Sequence, residues 1–329
     1  MPIGLVMTIR NERPMLRRNL LYHRYLGVDK MYVYLDNCTD GSETTVEDLP
    51  YVSVGPNVDP ELLRNHPGAE VYIQHPDHIT ARHSLNVIHT IDLAAAEGLD
   101  WLINIDPDEL ICPHADSIER DDLKRFFASI DADAESVLFM PFESCARRME
   151  YADVFSEETL FTPPGAKGTR EVFDPMDGST LSAELMLGHY TGKCAIRPVP
   201  GIVPRGPHDF VRPDRSRLRT EVRGLLLHYY LSGFSHFIRK FRNFSDRPDT
   251  WVSGKKVRQQ KRLWRDLVNK SDFSEEQLRA YFERWVLVSP EEVSRRLRGR
   301  RILGIPVSKP TLVEIQAASN AFKTVPDLT

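Results

Sequence analysis

The first 110 residues alternate short apolar runs with helix-periodic stretches, and this alternation leaves the chain few folds to adopt. Ile3–Ile9 is apolar and rich in branched and Met side chains, as a buried strand requires. Asn11 then offers an N-cap, Pro14 suits a first helical turn, and Leu16, Leu20 and His23 continue one face until Gly27. Lys30–Leu35 reads as a second strand, running into the polar turn Asp36-Asn37-Cys38-Thr39-Asp40-Gly41-Ser42. Val71–Ile73 is expected to be a third strand. Thr80 to about Glu97 is expected to be a helix stopped by Gly98, and Trp101–Ile105 a further buried strand. Strand, helix, strand, helix, strand implies a mainly parallel α/β sheet with helices on its faces. Ligands of such sheets bind outside the carboxyl ends of the strands.

Further along, Ser136–Phe142 and Lys193–Val199 are strand-like, and Arg223–Leu231 is another apolar run. Residues 156–190 are rich in Gly, Pro and Thr and suit a long functional loop or lid. From Ser232 to about Arg298 the pattern is helical, with Phe234, Phe237, Phe241 and Phe244 forming a packing stripe. The expected division is a core over 1–231 and a helical basic region over 232–329.

The buried strand Trp101–Ile105 ends in Asp106-Pro107-Asp108-Glu109. Strand alternation puts Asp106 and Asp108 on the same side. Paired hard oxygen ligands suit Mg²⁺ or Mn²⁺, ions that bridge substrate phosphates and neutralise a departing diphosphate. Arg82, on the preceding helix, is expected to face the same strand ends.

These residues, taken with their neighbours, resemble a glycosyltransferase of the GT-A fold, near the family 2 and family 92 enzymes. The resemblance rests on Thr8-Ile-Arg10-Asn11-Glu12, on Tyr22 to Val28, on Asp36 to Ser42, and on Ile105-Asp106-Pro-Asp108-Glu109-Leu110. Lys193 to Pro198, Gly206 to Phe210, and His228-Tyr229-Tyr230 with Lys240 extend it over roughly residues 3–245. Leu110 and Cys38 depart from the family pattern without removing a charge. The resemblance implies a nucleotide-sugar donor, usually a UDP-sugar, and a hydroxyl acceptor, glycan or lipid-linked. Thr8, Arg10, Glu12 and Asp36 would cradle uracil and ribose. Asp106 and Asp108 would hold Mn²⁺ or Mg²⁺ against the diphosphate, Lys193 or Arg197 would meet the phosphates, and His208 or His228 would complete the metal shell, with His208 slightly preferred. An inverting transfer needs a carboxylate base. Glu143, Asp177 and Glu184 lie at plausible chain distances, and Glu143, after a strand, ranks first. Asp108→Ala is expected to abolish activity with little loss of fold, as for a surface acidic cluster. Two rival readings stay open: a metal-dependent nucleotidyltransferase, and a non-catalytic basic binding module on an α/β scaffold.

Charge and cysteines narrow the setting. With 43 Lys and Arg against 47 Asp and Glu the net charge is −4, which excludes a uniformly nucleic-acid-like chain. Residues 212–310 hold 24 Lys and Arg against 11 Asp and Glu, so an acidic body carries a basic C-terminal third. Lys255, Lys256, Arg258, Lys261, Arg262, Arg265, Arg295, Arg296, Arg298, Arg300 and Arg301 alternate there with Trp251, Trp264 and Trp285. A solvated face or one paired with the acidic body, an anionic membrane surface, and an anionic acceptor or nucleic acid all suit that pattern. No obligate nucleic acid is implied, and the basic segment is assigned to acceptor, membrane or partner rather than to the donor. His75, His78, His83 and His89 lack zinc-ligand spacing. No signal peptide or membrane span is expected, and four scattered cysteines suit reduced thiols in the cytoplasm, with peripheral contact to the inner membrane face open.

Overall fold

Strand β1 (Ile3–Ile9) is buried along nearly its whole length, and its neighbours on both sides run parallel to it. The computed structural model describes residues 1–299, 301, 302, 305, 306 and 309–328. Helix α1 (Arg13–Tyr25) follows, with Pro14 in its first turn. Asn11 does not cap it: the residue has φ +54°, and its side chain bonds Asn243 and the Thr39 amide instead. The chain reverses at Gly27, φ +104°, where a Cβ would press on the Asp121 side chain at 3.0 Å. Strand β2 (Lys30–Leu35) pairs with β1 and with β3 (Val52–Pro56).

The third strand is therefore Val52–Pro56. Val71–Ile73 lies in the short helix α2 (Glu70–Ile73), where the Tyr72 and Ile73 amides both donate to the Ala69 carbonyl at 2.9 Å. A run of three apolar residues carries no period, so local hydrogen bonding decided it. Helix α3 (Ile79–Ala96) is capped by His78, whose ring accepts from the Thr80 amide, and Gly98 ends the turn after it with φ +70°. Strands β4 (Trp101–Asn104) and β5 (Glu109–Cys112), helix α4 (Asp122–Ala128), strand β6 (Ser136–Ser144), helix α5 (Val154–Glu157) and strand β7 (Leu160–Thr162) come next.

Within 156–190 the chain forms a hairpin, β8 (Thr169–Phe173) and β9 (Thr180–Glu184). It is docked, not free: Phe173 stacks on Trp285, and Val172, Ala183 and Leu187 are buried among the C-terminal helices. Strand β10 (Lys193–Ile196), the two-residue pair β11 (Val203–Pro204) and β12 (Phe210–Val211), and strand β13 (Thr220–His228) follow. Helices α6 (Phe234–Arg242), α7 (Gln259–Lys270) and α8 (Glu275–Tyr281) pack a second apolar cluster around Phe237, Phe241, Trp264 and Phe282, while α9 (Pro290–Arg298) sets Val293 against a smaller one with Leu160 and Leu312. Beyond the small pair β14 (Arg301–Ile302) and β15 (Ile305–Pro306), strand β16 (Val313–Glu314) bonds back onto β7. Helix α10 (Ala317–Thr324) then buries Phe322 against Tyr22 in the main core.

Among the described residues ten strands form one sheet, and seven of them point the same way. Strands β1 to β4, β6, β13 and β16 share a direction, while β5, β7 and β10 oppose it. The α/β expectation with a mostly parallel sheet thus holds. The carboxyl ends of β1, β2, β4, β6 and β13 consequently lie at one edge. Strand β10 is inserted antiparallel between β4 and β6, so its first residue, Lys193, reaches that edge and its far end does not. Among the described residues no helix is long and apolar enough to cross a membrane.

Candidate active site

A cavity of about 220 Å³ opens where these strand ends meet helices α6 and α7. Thr8, Arg10 and Glu12 enter it from the end of β1, Asp36 from β2, and Asp106 and Asp108 from the β4–β5 turn. His208 lines it from the turn before β12 and His228 from the end of β13.

Each acidic group on the wall has a cation. Asp36 is fully buried and bonds Arg82 through both oxygens, at 2.5 and 2.9 Å, so Arg82 orders the pocket floor through this carboxylate. Asn57 donates to the same carboxylate, and Asn86 links Asn57 to the Thr8 hydroxyl. Asp106 meets Lys193 at 2.9 Å. Burial opposes ionisation of Asp106 most strongly, but the charge and hydrogen bond of Lys193 together with His83 outweigh it and hold the carboxyl at about 2. Asp108, 5% exposed, meets Lys240 at 2.5 Å. Its burial too is overridden, by Lys240 and then His228, and it stays well below the usual carboxylate range. Glu12 has only Arg239, at 3.5 Å, and burial wins: its pKa rises to about 7.

Glu12 sets a pH slope. Its folded pKa of about 7 exceeds the unfolded 4.5, so the folded protein binds more protons between those values. Its contribution to stability is full below pH 4.5 and is lost as pH rises through about 7. Urea midpoints measured across that window should fall with pH in the wild type and fall less in Glu12→Gln.

Three histidine rings stack at the back of the cavity. His189 lies 4.3 Å from His208 and 4.8 Å from His228, centroid to centroid. Its Nε2 meets Glu109 at 2.8 Å. Glu109 is fully buried, and burial lifts it to about 7. His208 donates from Nδ1 to the Gly192 carbonyl at 2.8 Å, and burial lowers its pKa to about 3. His228 Nε2 faces Asp108 at 3.6 Å, and its buried Nδ1 has no hydrogen-bond partner. Asp108 and His228 thus offer a hard oxygen and an imidazole nitrogen side by side. One oxygen of Glu109 and ring nitrogens of His189 and His228 also lie within 4.8 Å of one another. This donor set fits a divalent cation, which would share the Asp108 oxygen with Lys240.

Four sequence candidates sit elsewhere. Glu143 is buried behind the wall, and both its oxygens accept backbone amides, from Leu187 and Gly188, each at 2.6 Å. It shapes the wall: a Cβ on Gly188 would come within 2.4 Å of His228 and 2.5 Å of Glu143. Asp177 is exposed in the β8–β9 turn, bonded to the Ser179 amide. Glu184 is exposed and accepts from the Tyr190 hydroxyl. Arg197, beyond the far end of β10, lies over Trp101 and bonds the Ala134 carbonyl. None of the four lines the cavity.

The basic C-terminal segment does line it. Lys240, Asn243, Phe244, Arg247, Trp251 and Lys261 close the side facing Asp106 and Asp108. Arg247 stacks between Phe244 and Trp251, at 4.5 and 4.3 Å, and its buried Nε has no partner. Lys261 donates to the Gly188 carbonyl at 2.8 Å. Among the described residues neither Arg247 nor Lys261 has a carboxylate within ion-pair distance. Burial lowers Arg247 to about 10 and pushes Lys261 well down. Elsewhere in the segment Arg262 and Arg265 pair with Asp249, and Arg295 with Glu292. Arg300 and the Arg301 side chain lie outside the described residues.

On a mostly parallel α/β sheet, an acidic strand-end pair thus faces a wall of cations. The profile of glycosyltransferase family 92 matches residues 8–265, and the chain belongs to that family. Two glycosyltransferase-like proteins of Arabidopsis thaliana are each 23% identical to it, over 230 and 231 residues, or 66% of this chain. The chain spans about half the length of these relatives, 51% and 44%. Among solved structures, the galactosyltransferase LgtC with donor and acceptor sugar analogs is 12% identical, with a TM-score of 0.28 over 60% of this chain and 58% of that one. Glucosyl-3-phosphoglycerate synthase from Mycobacterium tuberculosis is 15% identical, with a TM-score of 0.28 over 60% and 57%. The matched segment takes in Lys240, Arg247 and Lys261.

Proposed function

We propose that this chain transfers a sugar from a nucleoside-diphosphate sugar, a UDP-sugar, to a hydroxyl acceptor, with inversion and with Mn²⁺ or Mg²⁺ bound. The observation that carries the reading is the unmatched pair Arg247 and Lys261. Every carboxylate on the cavity wall already has a cation, so these two charges are left for a ligand that brings its own negative charge. A diphosphate supplies it. Family membership and the acidic pair support the sugar-transfer chemistry.

In the proposed complex Asp108 and His228 would hold the cation, with Asp106 beside them, and the ion would stabilise charge on the leaving diphosphate. The acceptor oxygen bonds the anomeric carbon as the carbon–oxygen bond to the diphosphate breaks. The nucleoside diphosphate leaves with the electron pair, and the acceptor hydroxyl gives up its proton to solvent, since none of Glu143, Asp177 and Glu184 lines the cavity. Arg247 and Lys261 grip the leaving group, Asp36 is held for the nucleoside by Arg82, and Gly188 keeps the wall open beside His228.

The test is release of UDP from a panel of UDP-sugars, with Mn²⁺ and with EDTA, and the anomeric configuration of any product. UDP release that needs the ion, with an inverted product, is the expected result. No donor binding or hydrolysis across the panel overturns the reading. Pyrophosphate in place of UDP identifies a nucleotidyltransferase.

A further inference from the structure

We infer a second binding site behind the active-site wall: a halide-sized anion site, taking chloride, framed by Arg170, Arg296, Ser144 and Tyr230. These four line a small, partly open space with room for about one water-sized sphere.

The case rests on unmatched groups. Arg296 is 6% exposed, and Arg170 is partly buried on β8. Arg170 donates to the Trp285 carbonyl at 2.7 Å. Arg296 donates to the Thr162 hydroxyl at 2.7 Å and to the Thr311 carbonyl and hydroxyl at 3.1 and 3.3 Å. All these acceptors are neutral. Among the described residues neither guanidinium has a carboxylate within ion-pair distance. A buried cation lacking a counter-charge is costly, and two facing one space are more so.

The acidic and thiol groups nearby do not answer the need. Glu143 borders the space, but both its oxygens are taken by the Leu187 and Gly188 amides. Even with its charge counted, the lining carries one net positive charge. Cys145 also borders it, and burial pushes that thiol up to about 11, so it stays neutral. Two hydroxyls complete the set: Ser144 Oγ and Tyr230 Oη are buried and lack a hydrogen-bond partner. Two guanidiniums and two free hydroxyl donors around one sphere suit a small monovalent anion with no proton to donate.

The site is tied to the cavity in front of it. Tyr230 lines both spaces, and its ring carries Lys240 at 4.4 Å and Lys261 at 5.0 Å. Tyr230 is therefore shared by the anion site and the cavity in front of it.

The experiment compares melting temperature in sodium chloride and sodium gluconate at equal ionic strength, and seeks anomalous density in crystals grown in sodium bromide. Chloride is expected to raise the wild-type melting temperature by about 3 °C over gluconate. Ser144→Ala and Arg170→Gln should shrink that difference, and a bromide peak should lie between Arg170 and Arg296. Ser144→Ala removes only a hydroxyl, so it reads the site even if Arg170→Gln fails to fold. Equal melting temperatures in both salts, or a water in place of bromide, overturn the inference. These readouts do not depend on sugar transfer.

Discussion

Asp108→Asn is expected to reduce sugar transfer about 10²–10³-fold, the scale for losing one electrostatic group at a reacting centre. It should also weaken the fold, by about 3 kcal/mol. A surface acidic cluster would behave otherwise, since removing one charge from it relieves repulsion. The structure instead buries Asp108 against Lys240 at 2.5 Å, with His228 on its other side. Removing the carboxylate strands the largely buried Lys240 ammonium without its counter-charge. Asp108→Asn/Lys240→Met should therefore recover most of the stability and none of the activity. Urea denaturation and UDP release, measured on the same preparations, separate the two effects. A single variant as stable as the wild type would mean that the Asp108–Lys240 pair does not hold the site together.

Much of the core was legible because its signals are local. Ile3–Ile9 and Lys30–Leu35 are delivered as expected, since each is an unbroken run of strand-forming residues bounded by polar turns. The acidic pair was found because a buried strand runs straight into it. What sequence does not carry is strand direction. Lys193 and Arg197 stand four residues apart on one run, and only the antiparallel insertion of β10 sends Lys193 to Asp106 and Arg197 to Trp101. Glu143 lies near the end of β6, inside the strand and not after it, and its oxygens go to amides 44 and 45 residues further on. His189 left a faint signal, a histidine after Gly188 at the end of a Gly-rich stretch. Its meaning depends on Glu109, 80 residues earlier. The basic segment reads from sequence as belonging to acceptor, membrane or partner; charge counts do not show that α6 and α7 fold over the strand ends, where Lys240, Arg247 and Lys261 line the cavity.

Arg247→Met and Lys261→Met should each raise the donor KM about 10–100-fold, the worth of one hydrogen bond to a charged group. Their effect on the free protein should run the other way. Lys261 is pushed well below its ordinary value by burial first and by Arg247, Arg258 and Lys240 next. The unfolded chain therefore holds that proton more firmly, and stability rises with pH from the folded value up to 10.5. Replacing the ammonium with Met removes this penalty, so Lys261→Met should be at least as stable as the wild type at pH 7 while binding UDP less well. The same unmatched charge predicts proton uptake. A diphosphate beside Lys261 raises its pKa again, so at a pH where the free protein has partly lost that proton UDP binding should take up protons, seen calorimetrically as a heat that varies with the buffer's ionisation enthalpy. In Lys261→Met that dependence should shrink. Unchanged UDP affinity in both variants would move the diphosphate off this wall, and the proposed donor site with it.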